Sequence, residues 1–236
     1  MAELVRSGAS EGLWLRAQRQ TAGKGRQGRP WVSPEGNLYI STLVRTRPGE
    51  PSPATLALVA AVALEETVAL FGVRAMLKWP NDLLVNGAKL SGILLERVDD
   101  AVVLGFGVNL AHCPVGLGQP ATSLSVYAPA PDPHVVAETL AEVFARWLSR
   151  WRDGIAPVRD RWLARAHPRG TALTALLADG TSMDGLFDGL TSDGALSLRL
   201  ADGTVRAIHA GDVRSEERRV GKECELKCRS RWSPYH

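Results

Sequence analysis

Apolar and polar positions lay out strands and helices whose character changes once, near residue 170. Residues 2–8 read as a short helix, and in "LWLRAQRQ" (13–20) apolar and polar residues alternate as in a half-buried strand. "NLYISTLV" (37–44), rich in β-branched and aromatic residues, predicts a second strand. Ser52 and Pro53 supply a helix start, with Ser52 as N-cap and the proline in the first turn. The Ala/Leu/Val-rich helix that follows runs to about Phe71, where Gly72 stops it. It is apolar nearly all round and is expected in the core. Three short strands come next, at about 75–78, 83–85 and 89–97, the last two joined by an Asn86-Gly87 hairpin turn. Asp99 and Asp100 turn the chain into "AVVLGFGVNL" (101–110), whose Gly105 and Gly107 suggest close backbone approach. Asp132-Pro133 opens another helix that ends before Gly154, and a shorter one covers roughly 155–166.

Past Pro168-Arg169-Gly170 the period becomes two, punctuated by ADG, SDG and ADG turns, which predicts a small antiparallel module of about five strands. The chain is therefore α+β: a mixed-sheet domain flanked by helices over 1–168, then a β module over 169–213. The remaining stretch, 214–236, has no apolar periodicity. Its pieces "RSEERRVGKEC" and "CRSRWSPYH" resemble the translation of a sequencing-library adapter, so it is expected to be a non-native tail.

Charge adds little once that tail is set aside. Of 28 basic and 25 acidic residues, the tail holds seven and four, leaving 21 of each sign in the body. A neutral body gives no electrostatic argument for nucleic acid. No run reaches the ~18 apolar residues of a membrane span and no signal-peptide layout is present, so a cytoplasmic location is expected. Cys224 and Cys228 lack the further ligands a zinc site needs.

Candidate chemistry concentrates in three places. "QTAGKGRQGRPW" (20–31) is glycine-rich and basic. Gly23, Gly25 and Gly28 have the Gly-x-Gly-x-x-Gly spacing, but Pro30 and a turn follow instead of a helix, and no Ser/Thr follows Lys24 as a phosphate loop requires. What remains is a mobile loop whose amides, with Lys24, Arg26 and Arg29, could close on an anion, or a solvated basic loop. "KWPNDLLVNGAKLSGILLE" (78–96) places Asn81 and Asp82 in a turn, suited to a base edge or a Mg²⁺ shell. Lys89 lies on the same strand as Gly92, pointing either to solvent or inward toward a carboxylate and phosphate. Asn109, in "GFGVNL", could read both donor and acceptor of a purine edge.

In this order the stretches resemble bacterial biotin–protein ligases over about residues 3–213. "GKGRQGRPW" is similar to that family's Gly-Arg-Gly-Arg-x-Gly-Arg-x-Trp loop, "KWPNDL…KLSGILLE" is its most diagnostic segment, and the β module looks like its small SH3-like barrel. The resemblance implies an ATP-dependent enzyme that joins biotin to AMP and passes biotin to a lysine of an apo biotin carboxyl carrier protein of a biotin-dependent carboxylase. ATP, Mg²⁺ and biotin would be its small molecules. Lys89 and Arg26 would be catalytic; Gln20, Lys24 and Gly25 would join them around biotin. Gly23, Arg29, Trp31, Asn81, Asp82 and Asn109 would serve the nucleotide. No side-chain cluster for a metal is implied, Mg²⁺ arriving with ATP and Asp82 able to join its shell. The glycines would let the loop act as a lid that orders over a hydrolysable adenylate.

Two departures are visible. Lys24 stands where the family more often has Arg, keeping the charge and losing the bidentate fork. The Ser-Thr-Asn motif that contacts the biotin ring in the family is missing upstream of the loop, which implies an N-terminally shortened chain of the type without a helix-turn-helix domain. DNA contact is therefore not expected, nor a membrane partner; a homodimer is compatible with the resemblance. The alternatives are a lipoate–protein ligase-like enzyme, or a biotin- and nucleotide-binding remnant inactive for want of that motif.

Overall fold

The computed structural model describes residues 1–114, 119–177 and 179–215 and divides the chain into two units. The first is Met1–His167 with Ser192–Gly194, the second Pro168–Thr191 and the chain from Ala195.

Six strands build the sheet of the first unit: β1 (Trp14–Ala17), β2 (Leu38–Arg45), β3 (Met76–Lys78), β4 (Asp82–Val85), β5 (Ala88–Val98) and β6 (Ala101–Val108). Their order is β1-β2-β6-β5-β4-β3, every neighbouring pair antiparallel. Among the described residues, parallel pairing is confined to two isolated bridges, Leu77 with Ala166 and Lys89 with Ala121. Asn86 and Gly87 both take positive φ (49° and 74°), as a two-residue hairpin turn between β4 and β5 requires. β1 stops at Ala17, short of the predicted 13–20, because beyond it the chain leaves β2 and Gln20 N–H donates to the Ser33 carbonyl instead.

Helices cover the sheet according to their apolar faces. α1 (Ala2–Arg6) buries Val5 among Leu43, Val98, Ala101 and Val103. α2 (Leu56–Leu70) follows a 3-10 turn at Pro53–Thr55. Ser52 does not cap this start with its side chain as the sequence predicts; the tight turn leaves its carbonyl to accept from Thr55 N–H and Oγ1–H. Residues 53–70 are long and apolar enough to cross a membrane by composition, and 67% of that stretch is buried inside the protein as a core helix. α3 (Pro133–Arg152) begins as predicted, Asp132 accepting from His134 N–H at 2.8 Å, and α4 (Ala156–Leu163) follows it.

Glu65 is the charged exception on α2, 2% exposed. Arg161 and Arg165 reach its oxygens at 2.8 and 3.3 Å, tying the end of α4 to the core helix. Burial pushes the Glu65 carboxyl above the ordinary carboxylate range, and the two guanidiniums pull it part of the way back. An elevated native-state pKa means the unfolded chain releases this proton first as pH rises, so Glu65 costs stability across that window. Relative to a Glu65→Gln variant, wild type should lose unfolding free energy as pH rises above the ordinary glutamate pKa of about 4.3. Urea denaturation at intervals of pH checks this; a difference that is flat or of opposite slope contradicts it.

The second unit is one antiparallel sheet of β7 (Ala172–Leu177), β8 (Ser182–Leu190), β9 (Leu196–Arg199), β10 (Val205–Ile208) and β11 (Gly211–Ser215), in the order β10-β9-β8-β7-β11. Two Asp-Gly-Thr turns repeat one device: Asp179 and Asp202 each accept from the N–H and the hydroxyl of the threonine two residues on. β11 carries on through Arg214 and Ser215, paired with Thr174 and Leu173. The module therefore takes two residues that the sequence reading gave to the tail. Charge density hid them, since an edge strand turns every second side chain to water. The rest of the tail, 216–236, including Cys224 and Cys228, lies outside the described residues.

Candidate active site

A single cross-strand row organises the site. Lys78, Asp82, Gly92, Gly107, Tyr39 and Ala17 are successive Cα partners across β3, β4, β5, β6, β2 and β1. Partners across a ladder point to the same face, so Asp82 stands at the border of a bare patch made by Gly92 and Gly107. The indole of Trp31 lies on that patch. A Cβ added to Gly107 would come within 2.7 Å of Trp31 Nε1 and Cε2, and one added to Gly92 within 3.3 Å of the ring. The close approach foreseen at Gly107 is thus made by a side chain, not by backbone.

Lys89 joins this face through an irregularity. Leu83 pairs with Ser91 and Leu84 with Lys89, so Leu90 is an extra residue on β5, a β-bulge. In a regular strand residues three apart point to opposite faces. The bulge restores Lys89 to the face of Gly92, and its Cε would meet a Cβ there at 3.3 Å. Lys89 Nζ sits 2.7 Å from Asp82 Oδ1, with side chains only 18% and 13% exposed. It also lies 5.5 Å from the centre of a Trp31 ring, within range for a cation–π contact. A second neighbour steadies the Lys89 backbone: its N–H donates to the Pro120 carbonyl and its carbonyl accepts from Thr122 N–H.

The glycine-rich stretch is a folded hairpin. Gln20 N–H bonds the Ser33 carbonyl, Trp31 N–H the Gly23 carbonyl and Gly25 N–H the Arg29 carbonyl. Gln27 and Gly28 turn it with φ of 56° and 71°. Gly23 is glycine because a Cβ would fall 2.5 Å from the Trp31 carbonyl oxygen and 2.8 Å from Gln20 Oε1. Gly23 thus answers a steric need and Gly28 a positive φ, whereas a Cβ on Gly25 would meet only an ordinary contact, 3.4 Å from the Arg29 carbonyl oxygen. The hairpin delivers Trp31 onto the glycine patch and brings Arg26 to Asn81, Nη1 to Oδ1 at 3.5 Å. Asn81 is itself fixed to β5, its amide donating to the Ile93 carbonyl and its carbonyl accepting from Ile93 N–H.

Of the residues singled out in sequence, Arg26, Trp31, Asn81, Asp82 and Lys89 converge on this face, with Gly23 and Gly25 in the hairpin above it. Gln20 Oε1 accepts from Ser33 Oγ at 2.8 Å, beside Gly23. Lys24 and Arg29 are exposed on the hairpin, and Arg29 bonds Gln27 Oε1. Asn109, two residues past Gly107, is 1% exposed and donates to the Thr122 carbonyl. Gly92, the Leu90 bulge and Asn37 went unrecognised in sequence; the "SG" step in "KLSGILLE" was the one available signal for the first of these.

Three buried polar atoms here lack aligned hydrogen-bond partners: the donor Trp31 Nε1, the acceptor Asn109 Oδ1, and Asp82 Oδ1, which is met by the Lys89 charge alone. Such atoms are rare unless a ligand completes them. An ammonium held by one carboxylate can exchange it for another anionic oxygen, so the face suits a ligand with a carboxylate or phosphate and a flat polar part. No group of three or more His, Cys, Asp or Glu able to hold a metal occurs among the described residues.

A cation over a glycine floor, under a basic hairpin and followed by a small β module, defines a group-transfer enzyme for anionic substrates. Residues 4–110 match the biotin/lipoate A/B protein ligase family, and residues 173–214 match the biotin protein ligase C-terminal domain. The biotin–[acetyl-CoA-carboxylase] ligase of Paracoccus denitrificans is 40% identical over 207 residues, 81% of this chain and 86% of that protein. The corresponding ligase of Mycobacterium tuberculosis is 35% identical over 216 residues, 88% and 80%. The structure of a biotin protein ligase from Aquifex aeolicus in complex with biotin and ATP superposes with a TM-score of 0.81 at 26% identity, covering 91% of this chain and 94% of that one. The chain belongs to the biotin protein ligase family.

Proposed function

We infer that this chain is an ATP-dependent biotin–protein ligase. The biotin carboxylate attacks the α-phosphorus of ATP, forming biotinyl-5′-AMP and expelling pyrophosphate. The amine of a lysine on an apo biotin carboxyl carrier protein then attacks the acyl carbon; an amide forms, AMP leaves, and the amine gives up a proton. The observation that carries this reading is the Lys89–Asp82 pair beside the Trp31-covered glycine floor. An ammonium already matched to a carboxylate is suited to hold biotin's carboxylate and to offset its repulsion from the α-phosphate.

Arg26, reaching from the hairpin to Asn81, supplies the second cation over the phosphate. Lys24 and Gly25, next to it, and Gln20 at the hairpin base line the biotin side. Gly23 and Arg29 complete the hairpin over the nucleotide. Asn109 Oδ1, buried without a partner, accepts from the amino group of adenine, and Trp31 packs on the base. Asp82 is the carboxylate that would join the shell of a Mg²⁺ ion carried by ATP, and such an ion would offset the charge of the departing pyrophosphate. The supply of ATP and apo carrier places the reaction in the cytoplasm.

Incubating the chain with ATP, Mg²⁺, labelled biotin and an apo carrier domain tests the reading, with lipoic acid as competitor. Label should stay on the carrier through denaturation, pyrophosphate release should depend on biotin, and lipoic acid should not compete. Failure of biotin to drive pyrophosphate release, or preference for lipoic acid, overturns it.

A further inference from the structure

One carboxamide satisfies four backbone groups beside the site. Asn37, immediately before β2, is 2% exposed. Its Oδ1 accepts from the N–H groups of Leu110, Ala111 and His112, each at 3.0 Å, and its Nδ2 donates to the His112 carbonyl at 2.9 Å. Three amides on one oxygen fold residues 110–112 tightly around the Asn37 side chain. The turn before Asn37 packs against the same residues, a Cβ on Gly36 falling 3.1 Å from Ala111 Cβ.

That segment leads directly out of the site. Asn109 precedes it, with N–H on the Leu90 carbonyl and carbonyl on Leu124 N–H, while Leu110 and Ala111 accept from Ser125 N–H and Oγ–H. The Asn109 amide holds the Thr122 carbonyl, and Thr122 N–H holds the carbonyl of Lys89. A continuous chain of hydrogen bonds thus runs from Asn37 through the 110–112 turn to Asn109 and on to the Lys89 backbone.

We propose that Asn37 is a positioning residue for the nucleotide half of the reaction: it fixes the turn that aims the unpaired Asn109 Oδ1, and touches no substrate itself. This rests on the proposed function, in which Asn109 meets adenine. A small displacement of a positioned group is expensive, and a lost acceptor here strands three amides at once.

Steady-state pyrophosphate release tests the proposal. Asn37→Ala should raise the KM for ATP on the order of tenfold to a hundredfold and leave the KM for biotin within about twofold. Asn37→Asp, whose carboxylate still accepts from all three amides, should recover most of that loss. In an Asn109→Ala background, Asn37→Ala should add less than about twofold, because the two act on one interaction. Should the Ala variant not fold, Asn37→Gln keeps both polar atoms one methylene further out and should show the same ATP-selective rise. Equal rises for ATP and biotin, an unchanged ATP KM in a folded variant, no recovery by Asp, or an additive double variant each overturn the inference. A wild-type chain without biotin-dependent pyrophosphate release overturns the proposed function instead, so the two failures are distinguishable.

Discussion

Lys89→Met should lower the rate of biotinyl-adenylate formation by on the order of 10²- to 10³-fold, the cost of removing one preorganised charge-stabilising donor. The methionine keeps most of the chain's length and packing over Gly92, so the lost quantity is the charge. Its removal also leaves Asp82 at 13% exposure without a counter-ion, which should lower the melting temperature. Lys89→Met/Asp82→Asn should recover that stability without recovering activity. Pyrophosphate release and thermal melts on both variants separate the two effects. Recovery of activity in the double variant would mean that the single one merely destabilised the site.

Gly107→Ala carries the second large expectation. Gly107 does not have a positive φ, so alanine meets no backbone objection there. The obstacle is the Trp31 indole, 2.7 Å from the new methyl position. Relieving that overlap should cost about 1–3 kcal/mol of stability, typical of overpacking. Lifting the indole and the hairpin behind it should weaken nucleotide binding by roughly tenfold to a hundredfold, about 1.4–2.7 kcal/mol in affinity. Gly105→Ala is the control: its methyl would meet Ser41 Oγ at 3.6 Å and the Leu94 carbonyl at 3.8 Å, ordinary contacts. Titration calorimetry with a non-hydrolysable ATP analogue should find Gly105→Ala near wild type. Wild-type affinity in Gly107→Ala would remove the glycine floor from the nucleotide site.

The strands and helices were largely legible because periodicity and turn chemistry are local. Asn86-Gly87 and Asp132-Pro133 announce their turn and cap within a few residues, and the structure has both. Lys89, Arg26 and Asn81 could be named from short motifs. Their mutual placement could not, because it depends on the pairing of segments far apart in the chain, 55 residues in the case of Arg26 and Asn81. Asn37 was hidden for a related reason: a buried asparagine at a strand start looks like turn chemistry until its distant amide partners are known. The hairpin's hydrogen-bonded form was not legible because glycine marks both conformational freedom and steric crowding, and sequence does not distinguish them.

The extra residue at Leu90 has a bearing on how this protein can vary. Lys89 owes its address to the number of residues between it and Gly92, not to the identity of any one of them. Point substitutions at Leu90 exchange one buried side chain for another and leave that count intact. Deleting Leu90 should invert the parity, carrying the ammonium through the sheet to its other side with every substituent otherwise unchanged. Sequence drift can therefore explore position 90 by substitution at modest risk to the chemistry, whereas a three-nucleotide deletion there would abolish the chemistry in one step.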